Sequence, residues 1–308
     1  MKSSRAQSAL IVGSVAIDQV ETPFGSSGPV MGGAASFAAI AASYFAPTRL
    51  IAVVGSDFPA SYRRRLVKSK IDLTGLQVDP TSKTFFWSGK YREHFAGRDT
   101  VEVQLNCFEK FSPLLPTAYR DSRYVMLGAI MPALQHHVID QFKGLSKPFI
   151  LADTFDLWIH TTKDDLLSLL KRIDLFVINE DESLLLTGAR DLVLAAKILR
   201  KMGPRMLVIK KGGHGSMLFH PEGTFAIPAF PVTKFVDPTG AGDSYAGAIT
   251  GYLASVNRTD FAAMKQAVAY ATAVSSLTVE SFSVNRLAGA GRKTIDARYQ
   301  ALRAMTRF

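Results

Sequence analysis

The 308-residue sequence predicts an α/β fold, a doubly wound and mostly parallel sheet that carries a small β lid. Two observations lead there. Short continuous apolar runs rich in Val, Ile and Leu alternate with segments of helical period, which is the pattern of parallel strands covered on both faces. One stretch, TFFWSGKYREHFAGRDTVEVQLNCF (84–108), breaks that rhythm by alternating polar and bulky residues, which suits an antiparallel hairpin and excludes a crossover helix.

In chain order, ALIVGSVAI (9–17) reads as the first buried strand. Lys2 and Arg5 in front of it imitate a signal peptide, but Asp18 ends the apolar run too early. A small-residue helix, AASFAAIAASYFA (34–46), precedes strand RLIAVVG (49–55) and a helix near 58–70. The 84–108 hairpin turns at AGRD and, joined by residues of about 14–25, is expected to form the lid. Alternation resumes with strand RYVMLGA (123–129), a helix near 134–143, strand PFILAD (148–153), a helix near 162–172 and strand DLFVINE (174–180). RMLVIKKGGHGSMLFHPEGTFAIPAF (205–230) adds strands joined by glycine turns, a small-residue helix runs from about Tyr245 to Ala254, and two helices close the chain. With no repeat and no linker-like tract, residues 1–308 are expected to form one domain.

A single cysteine, Cys107, excludes an internal disulfide and any multi-cysteine zinc site, and it fits a reducing cytoplasm. No run approaches the ~18 apolar residues that span a bilayer, so no membrane partner is expected. The formal charge of +10 is concentrated in SYRRRLVKSK (61–70) and between Arg292 and Arg307. No aromatic residues interleave with these arginines, which favours a solvated face over a nucleic-acid surface. A phosphorylated ligand would account for part of the balance.

The chemistry concentrates in DPTGAGDSYAGAITGYLA (237–254). A Gly-rich turn at a helix N-terminus offers unpaired amides and partial positive charge, so Thr239, Gly240, Ala241 and Gly242 make an anion cradle. Asp243 at the helix start could take a proton from a hydroxyl attacking a phosphate held there, and Asp237 could order a cation. A purely structural role, cap and tight turn, stands beside that reading. The segment is no Walker A loop, because no Gly-Lys-Ser/Thr follows the glycines. From a strand end, Lys210 is the better placed of Lys210 and Lys211 to reach a triphosphate.

DPTGAGDSY resembles the C-terminal signature of the ribokinase-like (PfkB) carbohydrate kinase family, with Tyr245 for the usual Phe. MGGAASFAAIAA (31–42) is similar to the N-terminal signature, with Ser36 where Asn is usual; Asn179 to Glu182 matches N-x-x-E; and IKKGGHGS (209–216) matches the nucleotide segment, with Lys210 in place of Thr. The resemblance covers nearly the whole chain and implies a ribokinase-like fold and an ATP-dependent kinase that phosphorylates a hydroxymethyl group. It further implies Asp243 as general base, the amides of Gly240, Ala241 and Gly242 around the transferring phosphate, and Asn179 and Glu182 positioning Mg2+. Asp18, Gly32, Gly33 and Ser36 would meet the acceptor; Asn179, Lys210, Gly212, Gly213, Gly215 and Thr239 would meet ATP; Asp237 would lie near a monovalent cation.

Phe85, Phe86, Trp87, Tyr91 and Phe95 crowd the hairpin, and a nucleoside needs such surfaces for its base. Phe85 and Trp87 are therefore taken as acceptor contacts, with an adenosine-like nucleoside preferred and a ribokinase- or fructokinase-type sugar as the alternative. The same aromatics would suit packing against a second lid in a homodimer. A catalytically silent fold-mate that binds nucleotide or RNA is disfavoured by Asp243 and Glu182, which pure binding does not require.

Overall fold

The computed structural model describes residues 7–95 and 97–307. Lys2, Arg5 and Ala96 of the expected lid turn lie outside the described residues. The chain starts in β1 (Ala9–Val12), leaves for the lid as β2 (Ala16–Thr22) and β3 (Gly25–Gly32), and returns through α1 (Ala34–Ser43). It continues as β4 (Thr48–Gly55), α2 (Ala60–Lys68) and β5 (Ile71–Asp79), then re-enters the lid as β6 (Phe85–Tyr91) and β7 (Arg98–Gln104). The alternating series follows: β8 (Tyr124–Leu127), α3 (Pro132–Asp140), β9 (Phe149–Asp153), α4 (Asp156–Thr161), α5 (Lys163–Leu170), β10 (Leu175–Asn179), α6 (Glu180–Thr187), α7 (Leu192–Met202) and β11 (Met206–Lys210). A hairpin of β12 (Ser216–His220) and β13 (Gly223–Ile227) precedes α8 (Ala241–Val256), α9 (Phe261–Thr278), α10 (Asn285–Gly289) and α11 (Arg292–Met305).

Nine strands form the main sheet in the order β13-β12-β11-β10-β9-β8-β1-β4-β5. From β5 to β11 every pairing is parallel; β12 and β13 add an antiparallel edge. Neighbouring residues of β1 serve opposite faces: Ala9 and Ile11 pack with α1, α8, α9 and α11, while Leu10 and Val12 pack with α3, α5 and α7. Strand order reverses between β1 and β8, so the crevice at the carboxyl ends of the strands is where such a sheet binds ligands.

The apolar run 9–17 is not one strand. Gly13 still donates to the Ile51 carbonyl, but the Ser14 carbonyl and hydroxyl accept the amides of Ala35 and Ala34, so this turn is spent on the start of α1. The chain after it changes sheets. The lid, ordered β3-β2-β6-β7, contains the expected antiparallel hairpin, and its first segment extends to Gly32, beyond the expected 25, because GSSGPVMG pairs back along β2. Four helices follow residue 240 where three were expected, and α8 begins at Ala241 and not near Tyr245. Only Leu66 of α2 is buried, in keeping with a solvated basic face, whereas the basic C-terminal segment docks as α11 through Ile295, Tyr299 and Leu302.

Candidate active site

Two helices aim their N-termini at the crevice, and small residues set their spacing. A Cβ on Gly247 or Gly251 of α8 would come within 2.2 or 2.5 Å of the Ala38 or Ala42 carbonyl oxygen of α1. The helix axes are thereby drawn together. Gly240, the N-cap of α8, has φ 77° and lies against the Phe37 ring, where a Cβ would be 2.4 Å away. The cradle Gly240, Ala241 and Gly242 is thus fixed to α1 from below, with Asp243 in the first turn behind it.

The lid brings the second carboxylate. Asp18 of β2 is 5 % exposed, accepts the Gly33 amide at 3.4 Å and occupies the space that a side chain at Gly32 would fill. Burial pushes its pKa to about 7, with Asp237 and Asp243 adding to the rise. Asp243 is raised to about 6, again by burial first and then by Asp153. Ser36, expected near the acceptor, is fully buried in α1 and its hydroxyl has no hydrogen-bond partner. Asp237 is 1 % exposed; one carboxylate oxygen accepts the Thr239 amide, and the other, Oδ2, has no partner. Burial holds its pKa above the usual range as well.

On the opposite side, strand ends supply a polar cluster. Asp153, Asn179 and Lys210 close β9, β10 and β11, with Asn179 in register with Lys210. Lys210 Nζ meets Asp153 Oδ2 at 3.1 Å and lies 2.9 Å from where a Gly242 Cβ would project, so its ammonium borders the cradle. Burial works against that charge, but Asp153, Glu182 and Asp243 outweigh it and hold the lysine above its ordinary pKa. Asn179 and Glu182 form a capping box on α6: Glu182 N donates to Asn179 Oδ1 at 2.8 Å, and Asn179 N to Glu182 Oε2 at 3.1 Å. Burial raises Glu182 to about 7. The turn Gly212–His214 is open to solvent, while Gly215 packs against the Ile227 carbonyl.

The aromatic lid residues divide. Phe85 stacks on Phe108 at 5.4 Å and anchors the lid's base. Trp87 pairs with Asp18 across β2 and β6 and lies flat over Gly89. Tyr91 bonds the Thr239 hydroxyl at 3.0 Å, and Phe95 meets Phe235 edge-on at 4.7 Å. Two residues were missed in the sequence. Asp153 could have been suspected from its place at the end of a parallel strand; Arg98 is one charge within an alternating hairpin and gave no signal.

Among the described residues no group of three or more His, Cys, Asp or Glu could hold a metal unaided. The excess of buried carboxylates nonetheless fits Mg2+ arriving with a triphosphate, since that ion takes a few protein oxygens and keeps waters. An amide cradle, an adjacent half-buried base and a lysine at strand ends define a phosphotransferase acting on a hydroxyl.

The comparison with known proteins is specific. Residues 10–288 match the pfkB family carbohydrate kinase model. A cytidine kinase of Thermococcus kodakarensis is 31 % identical over 254 residues, covering 81 % of this chain and 88 % of that protein. A putative ribokinase II from E. coli, solved with ATP and Mg2+, superposes with TM-score 0.79 at 21 % identity over 96 % of this chain and 99 % of that one. A Burkholderia thailandensis nucleoside kinase in complex with inosine gives TM-score 0.79 at 19 % identity, over 95 % and 97 %. The chain belongs to the pfkB carbohydrate kinase family and is an ATP-dependent kinase of a nucleoside or sugar hydroxyl.

Proposed function

We propose that the acceptor is a nucleoside, phosphorylated on its hydroxymethyl group. The observation that carries the chemistry is Asp243, a carboxylate raised to about 6, directly behind the amides of Gly240, Ala241 and Gly242. The acceptor oxygen attacks the γ-phosphorus, the bond to the β,γ-bridging oxygen breaks, ADP leaves and the hydroxyl proton passes to Asp243. Asp18 and the Gly32–Gly33 backbone bind the sugar hydroxyls; Lys210 and Thr239 contact phosphates; the open Gly212–Gly213 turn, backed by Gly215, leaves room for the nucleotide base.

Magnesium would be held by Glu182 and, through water, Asn179, and would offset charge on the triphosphate. Asp237 Oδ2, buried without a partner, suits a monovalent cation better than the magnesium site, because Asp237 interacts with Asp18 and Glu182 with Asp153. The nucleoside is favoured over a free sugar by the relation to the cytidine kinase and by the inner lid face, where Trp87 and Tyr91 offer ring surfaces opposite the cradle. No described helix is long and apolar enough to cross a membrane. A homodimer closing lid on lid is supported by β7, an edge strand whose every residue is exposed.

A thermal-shift titration with cytidine, adenosine, ribose and fructose, paired with turnover in ATP and magnesium, tests the assignment. Nucleosides should stabilise the fold more than the sugars at equal concentration. The reverse order would make this a sugar kinase. Full turnover in excess chelator would remove the magnesium role.

A further inference from the structure

We propose that Arg98 is the lid's cation for the reaction, its guanidinium binding the transferring phosphoryl group when the lid is closed; the proposal rests on the kinase reading above. Arg98 opens β7 in register with Tyr91, whose hydroxyl is bonded to Thr239 of the cradle segment, so this end of the lid is tied down at the anion site. The guanidinium carbon lies 4.9 Å from the Trp87 ring centre and 5.4 Å from that of Phe155, which follows the end of β9. One ring belongs to the lid and the other to the connection between β9 and α4. Stacking against rings engages the faces of a guanidinium and leaves its edge for hydrogen bonds, one of them to Tyr91, in the fork that matches phosphate oxygens.

Charge points the same way. Lys210 is committed to Asp153 at 3.1 Å, whereas Arg98 is held by rings and the neutral Tyr91 hydroxyl and is in no ion pair among the described residues. Arg98 nevertheless lies close enough to Asp18, Asp237 and Asp243 to favour the ionised form of all three, so its charge is felt at both the acceptor carboxylate and the base. A phosphoryl group passing from ATP to the acceptor crosses that interval. Because Arg98 rides on the lid, the charge arrives only with the acceptor covered, which would suppress transfer to water.

The test replaces Arg98 by Met, Lys and Ala. Arg98 is exposed on an edge strand, so the variants should melt close to the parent. Arg98→Met should lose about 100-fold or more in kcat, the scale of a removed transition-state donor, with KM for ATP and acceptor within about threefold. Arg98→Lys should recover part of the loss, and added guanidinium should raise turnover of Arg98→Ala but not of Asp243→Asn. Without turnover, Arg98→Met should also weaken binding of magnesium, ADP and aluminium fluoride in the presence of the best acceptor. An unchanged kcat with a raised acceptor KM would overturn the proposal and leave Arg98 a pocket wall. An unmodified protein inactive on every nucleoside and sugar would instead remove the kinase reading, and this inference with it.

Discussion

Asp243 must be ionised to take a proton yet lies where ionisation is costly, and its pH dependence follows from that conflict. Raised to about 6 by burial, it holds its proton to a higher pH than a free aspartate, so turnover should rise with pH through about 6 and fall roughly tenfold per unit below it. A pH–rate profile checks this, and a profile flat from pH 5 to 8 would assign the proton elsewhere. Asp243→Asn keeps the shape of the side chain and should lose about 100-fold or more in kcat with little change in melting temperature. Asp18 makes the matching statement about stability. Its folded pKa of about 7 exceeds the ordinary aspartate value of 3.8, so the stability tied to its proton is complete below 3.8 and is lost as pH rises through 7. At pH 8 Asp18→Asn should therefore stabilise the fold by on the order of 2 kcal/mol while abolishing acceptor binding, measurable by denaturation and by titration.

At the scale of elements, the contact between α1 and α8 positions both helix N-termini, and its glycines are its weak point. Gly247→Val would drive a side chain onto the Ala38 carbonyl, and separating the helices should cost about 2 kcal/mol or more and lower kcat as well, since the cradle would move with α8. Equilibrium unfolding with parallel kinetics distinguishes this from simple loss of stability. The small-residue character of both helices was readable in the sequence, as were the cradle and Asp243, because each is a local pattern with a local physical cause, whereas N-x-x-E was legible only as a family motif and its capping box came with the structure. What could not be read depended on distance in space. The break at Gly13 and Ser14 is set by α1, twenty residues later, whose amides the Ser14 carbonyl and hydroxyl accept. The strand GSSGPVMG has glycines and a proline that argue against a strand until β2 pairs with it. Asp153 and Arg98 acquire meaning only through what folding brings beside them, Lys210 for one and two aromatic rings for the other.

For the whole molecule, the arrangement is a rigid sheet with two fixed helix ends and a separate four-stranded cover. Trp87→Ala should raise the acceptor KM far more than the ATP KM, because the cover meets the acceptor; equal effects would mean that Trp87 only packs the lid. Phe85→Ala should additionally lower the melting temperature, since it removes the stack on Phe108. The chain has two tryptophans, one on the cover and one on the body: Trp87, faced by Arg98, and Trp158 in α4, where its indole N–H donates to the Ala129 carbonyl at 3.0 Å. The molecule therefore carries its own optical gauge. The emission of one indole should respond whenever the guanidinium leaves its face or the cover tilts, while the other, anchored in the body, supplies a constant reference in the same spectrum.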